Sequence, residues 1–199
     1  MSEYTFKKVA TERALAVCQD VDLDEPGRRL LAPELAPEAF LRLLMNGALY
    51  GDAVKFLARA LPKREATWWA CLCARGVLGG DAPADVVKAL EVAEQWVHKP
   101  TEENRRLTYP AAQTAQAGQP GHPAGWAAMA AFWSGGSMAP PDVPVVPPAD
   151  NLTAKAVAGA VMLAAVHTEP ERAETRYRRF LEQGIDIACG GSGRVENAA

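Results

Sequence analysis

Chemistry in this chain of 199 residues would have to start from four cysteines, three histidines and a few charged groups set among tryptophans. Cys71 and Cys73 stand two apart on a predicted helix. That spacing rotates them by about 200°, so they point away from each other and cannot share one ion. With Cys18 and Cys189 they read as small buried apolar groups in a reducing compartment, a redox role for the pair being the competing reading. His98, His122 and His167 fall in three separate segments. Zinc would need two of them on one helical turn, or a cysteine–histidine quartet. No metal ligand is expected, and each histidine is read as structural.

Ser134-Gly135-Gly136-Ser137 has the look of a phosphate-gripping loop. A real one follows a strand and runs through Gly-Lys-Ser/Thr into a helix. Here the glycines follow a helical pattern and precede prolines, so they read as a helix stop. Most carboxylates lie on polar helix faces, and Glu102-Glu103 suits a first helical turn. Glu65 stands apart: it follows Arg64 and shortly precedes Trp68-Trp69, so a buried ion pair joining two helices is expected there. The chain has neither a nucleophile elbow nor a dinucleotide fingerprint, and neither a catalytic residue nor a cofactor is expected. Its five tryptophans, Trp68, Trp69, Trp96, Trp126 and Trp133, serve either as core or as interface anchors.

The elements carrying these residues are helical. Alanine is abundant, period-two alternation is short-lived, and stops are mostly Gly and Pro. Helices are predicted over Val9–Cys18, from Pro37 to Gly47, from a cap at Asp52 to Pro62, over Lys63–Leu78, from a cap at Asp81 to His98, from Thr101 with a break or kink at Pro110, over Pro123–Ser134, from a cap at Asn151 or Thr153 to His167, and from a capping box at Thr168 and Glu171 onward. Asp20 to Gly27 reads as a turn. The sum is an all-α fold of about eight helices, either an irregular bundle or a short non-repeating array of helix pairs. A single domain covers residues 1–188, and the glycine-rich 189–199 is expected to be a disordered tail.

One segment differs in kind. Ala139 to Ala149 holds five prolines around Val143, Val145 and Val146, which predicts an extended connector. It either packs its valines on its own domain, the favoured arrangement, or stays open as a docking strip. Trp126, Trp133, Pro140, Pro141 and Val143 are therefore the candidate binding residues.

The charge, −3 from 21 basic and 24 acidic residues, argues against a nucleic-acid or membrane-surface partner. The N-terminus lacks a signal-peptide pattern, and the longest apolar run, Ala156 to Val166, is too short to span a bilayer. A soluble, cytoplasmic protein is expected.

Three stretches carry a resemblance: Leu61 to Arg75 around Trp68-Trp69, Gly125 to Pro140 around Trp126 and Trp133, and Leu152 to Ala165. They resemble a family of small, uncharacterised bacterial proteins encoded beside spike and effector genes of type VI secretion systems. The resemblance spans about residues 35–185 and implies no activity. It implies an accessory, adaptor or chaperone for a secreted protein. A non-enzymatic interaction protein with a protein partner is thus the leading expectation. An enzyme whose groups converge only in space, and a toxin-neutralising partner, are the alternatives. A deep pocket holding Glu65, His98 or Cys71 with strongly perturbed acidity would favour the enzyme.

Overall fold

The computed structural model describes residues 4–195. Among these residues all regular structure is helical, in ten α-helices and two 3₁₀ turns. The helices are α1 (Ala14–Val17), α2 (Glu25–Arg29), α3 (Pro37–Asn46), α4 (Tyr50–Ala60), α5 (Lys63–Arg75), α6 (Ala84–His98), α7 (Glu102–Gly118), α8 (Pro123–Phe132), α9 (Leu152–Val166) and α10 (Ala173–Ala188). Consecutive helices mostly neighbour one another in space, as short connections favour.

The centre is built by small residues. α8 buries Ala124, Ala127, Ala128, Ala130 and Ala131, and packs on α5, α6, α7 and α9. α9 buries Ala156, Ala158, Ala160, Ala164 and Ala165, and packs on α4, α5, α8 and α10. Side chains this short let backbones approach, and large residues from the flanking helices fill the remainder. Trp69, wholly buried on α5, donates its indole N–H to the Phe180 carbonyl of α10 at 2.7 Å. Gly184 permits this crossing: a methyl group there would lie 2.6 Å from Leu57 and 2.8 Å from Trp69.

Ten α-helices replace the expected eight or so because the N-terminal segment breaks up. Only Ala14–Val17 of the predicted Val9–Cys18 helix is α-helical, and the Asp20–Gly27 turn gives way to α2. Tertiary bonds claim the preceding backbone. The N–H groups of Lys7 and Lys8 both donate to the Ala188 carbonyl, at 2.8 and 2.9 Å, and Ala14 donates to Leu35. Asp52 is no cap. It sits inside α4, buried, accepting the Asp24 N–H at 3.1 Å and pairing with Lys55 at 3.2 Å.

Pro110 does not break its helix, since α7 runs through it. Its ring is exposed, so the lost N–H costs one bond at the wet face, while Asn104, Arg105, Thr108, Ala112 and Ala115 keep the other face buried. Thr101 does cap α7, accepting the Asn104 N–H at 3.3 Å. The predicted capping box at Thr168 is absent. Thr168 adopts φ +59°, and α10 starts only at Ala173, after a 3₁₀ turn. Arg176 donates to the His167 carbonyl and pairs with Glu169 at 2.8 Å, which holds the connection in that other shape. Neither Asn151 nor Thr153 caps α9 through its side chain.

The expected tail also departs from its prediction. The glycine turn after α10 is tied down by Gly193, which donates to Asp186 at 2.8 Å, and by Trp68, whose indole donates to the Ser192 carbonyl at 2.8 Å. Residues 196–199 lie outside the described residues.

Candidate functional site

The proline segment forms a loop with a built base. Ser137, itself buried, accepts the N–H groups of Ala139 and Val146 on one hydroxyl, both at 3.1 Å. The Met138 N–H donates to the Val146 carbonyl at 2.8 Å, which closes the loop at its neck. Gly136 turns the chain in at φ +63°, and a methyl there would come within 2.7 Å of Arg105.

Arg105 is the anchor. Its side chain leaves α7, is 3% exposed, and donates to the carbonyls of Phe132 (2.5 Å) and Ser137 (2.9 Å). Its charge is met by Glu102 at 2.6 Å, whose carboxyl is held below the usual range by that bond. Its guanidinium also covers the Phe132 ring at 4.8 Å. Arg106 adds a bond to the Ala139 carbonyl at 3.1 Å. At the far end Asp150 pairs with Arg59 at 2.9 Å and Lys63 at 3.0 Å, and Lys63 lowers its carboxyl pKa.

Between these anchors the valines are exposed: Val143 by 47%, Val145 by 74% and Val146 by 47%. The favoured expectation, that they pack on their own domain, is thus corrected. The neck's hydrogen bonds use only backbone and Ser137, so nothing in them draws the valines inward. Pro140 and Pro141 are exposed beside Val143. Trp126 and Trp133 are not part of this surface in the same sense: both are half-buried against the core. Trp126 lies along α9 at Gly159, where a methyl group would sit 3.8 Å from the indole. Arg105 escapes a sequence reading because its neutral partners are backbone carbonyls 27 and 32 residues away.

A second feature gathers other residues singled out from the sequence. A cleft of about 480 Å³ between α5, α6 and the glycine turn is lined by Arg64, Glu65, Trp68 and His98, with Lys8 and Arg194 at its edge. The expected buried ion pair joining two helices does not form at Glu65. Glu65 pairs with Lys8 at 3.2 Å, while Arg64 donates to the Val97 carbonyl at 2.6 Å. The His98 and Trp68 rings lie 5.6 Å apart.

Burial disarms the thiols. Cys71 and Cys73 are fully buried, and burial pushes both thiols far up; burial raises Cys18 to about 12. Thiolate chemistry needs the reverse shift. His122 and His167, distant in sequence, meet edge to face at 5.0 Å. His122 caps α8, its Nδ1 accepting the Ala124 N–H at 3.1 Å, and burial together with the neighbouring His167 lowers its pKa. Among the described residues there is no group of three or more His, Cys, Asp or Glu side chains able to hold a metal, and no helix is long and apolar enough to cross a membrane.

Neither curated proteins nor solved structures give a match to the chain. A protein-family model does match, over residues 40–188, from Phe40 in α3 to the last residue of α10. With that span covering well over half of its length, the chain belongs to the family of unknown function DUF6931.

Proposed function

We propose that this chain is a non-enzymatic helical interaction protein that offers its proline–valine loop to a protein partner, as an accessory, adaptor or chaperone for a spike or effector of a type VI secretion system, working in the cytoplasm. The observation that carries this reading is the contrast between the loop's anchored base and its exposed apolar apex. Arg105, Ser137 and Asp150 hold the two ends, while Val143, Val145 and Val146 face water. Proline limits the conformations left to lose on docking. Burying a fully exposed valine contributes about 1.5–3 kcal/mol, and covering these three, which are about half to three-quarters exposed, gains a corresponding fraction of that for each. The secretion setting rests on the family resemblance of the stretches around Trp68-Trp69, Trp126-Trp133 and Leu152–Ala165.

Affinity purification of the tagged protein from its native host, with mass spectrometry, tests both parts. The wild type is expected to bring down a secretion spike or effector, and a Val143→Asp, Val145→Asp double variant with unchanged melting temperature is expected to lose it. Retention of every partner by the double variant sinks the docking loop. A loop-dependent partner unconnected with secretion sinks the secretion role alone.

A further inference from the structure

We propose that the cleft between α5, α6 and the glycine turn binds a phosphomonoester, its dianion held between Arg64 and Arg194. Ten other arginines of the described chain each hold a carboxylate. Among the described residues four arginines hold none, Arg42, Arg64, Arg179 and Arg194, and two of these four, Arg64 and Arg194, line this one cleft. Each is nevertheless oriented. The Arg64 Nε is spent on the Val97 carbonyl at 2.6 Å, at the end of α6, which sets the guanidinium plane and leaves its two-nitrogen edge free. Arg194 lies over the Trp68 ring at 5.6 Å, and Trp68 is itself pinned to Ser192 at 2.8 Å. A guanidinium held in place loses less freedom on gripping an oxyanion, and its fork matches phosphate geometry.

The charge count points to a dianion. Among the described residues, Lys8, Arg64 and Arg194 face a single carboxylate, Glu65, so these linings carry two positive charges in excess in a chain whose net charge is −3. Local excess of this kind focuses on small anions. The remaining wall combines the apolar surfaces of Trp68, Val97 and Ile187 with His98 and the backbone of the glycine turn, and the apolar part can take the organic body of an ester, which inorganic phosphate lacks. A volume of about 480 Å³ is within the usual range for small-molecule pockets. The same chemistry is carried by a phosphorylated metabolite and by a phosphorylated protein side chain.

The test is a titration of the full chain with phenyl phosphate, read on the indole N–H resonance of Trp68, which Trp68→Phe assigns. A saturable shift is expected, strengthening as pH rises through the second ionisation of the phosphate near about 6. Arg64→Gln and Arg194→Gln are each expected to weaken it at least tenfold. Lys88→Gln, which removes an equal charge from α6 outside the cleft, is expected to leave it unchanged. Benzoate, a monoanion, is expected to bind at least tenfold more weakly than phenyl phosphate. No saturable shift at millimolar ligand, equal affinity in the two glutamine variants and the wild type, or parity with benzoate would each overturn the site. A phosphotyrosine peptide separates the sources: parity with phenyl phosphate supports a free metabolite, and much tighter binding supports a modified protein.

Discussion

Trp69 joins the two halves of the core through its indole, wholly buried and bonded to the Phe180 carbonyl. Trp69→Ala removes the ring and leaves that carbonyl without its donor, so a loss of about 3–5 kcal/mol is expected in denaturant unfolding. A native-like midpoint would contradict the packing described. His122 makes a prediction of opposite kind, because its role depends on protonation. Burial and His167 lower its folded pKa, so the folded state binds fewer protons than the unfolded one, where the value is about 6.5. Its contribution is full above that value and is lost as pH falls through it and on through the lower folded pKa. Protonation also costs α8 its cap, since the imidazolium Nδ1 cannot accept the Ala124 N–H. Melting temperature is expected to fall between pH 7.5 and 5.5, and less steeply in His122→Asn, which keeps a capping acceptor without a titration. Equal pH slopes in the two proteins would refute the assignment. For Trp69 the sequence left core and interface anchor both open, and its complete burial decides for the core. The His122–His167 contact was not legible: it joins the start of one helix to the end of another, and a linear reading treats the two as strangers.

Among the elements, the loop between α8 and α9 depends on a residue from α7. Replacing Arg105 by methionine keeps much of its apolar stem but removes the bonds to Phe132 and Ser137. Limited proteolysis between Met138 and Asp150 is expected to accelerate several-fold in Arg105→Met while the helical circular dichroism persists. An unchanged cleavage rate would show that Ser137 and Asp150 suffice to hold the loop. Elements were legible where their signal is local. Thr101 caps α7 as its type predicts, and the all-helical character follows from alanine content and period. They were illegible where a distant group competes. Pro110 is a breaker by local rule, but the buried face of α7 outweighs the bond it removes. Thr168 and Glu171 form a capping box by spacing, but Arg176 reaches back to the His167 carbonyl and the box never assembles.

On the scale of the whole molecule, stability comes from the alanine-rich contact of α8 with α9 and the helices around it, with no contribution from disulfides. Chelation is therefore expected to change neither ellipticity nor melting temperature, and a marked loss of either in excess chelator would reveal a structural ion. The matched family region, residues 40–188, contains the whole of this centre. The arm before it and the turn after it contribute edges to the cleft, through Lys8 and Arg194. The two backbone bonds from Lys7 and Lys8 to Ala188 also set an order of events during synthesis. The arm leaves the ribosome long before its acceptor. At about 5–20 residues per second the wait is roughly 10–40 s, long enough for the middle helices to collapse without it. The arm is thus a latch that closes on helices already packed, and the cleft gains its Lys8 edge only once the latch has closed.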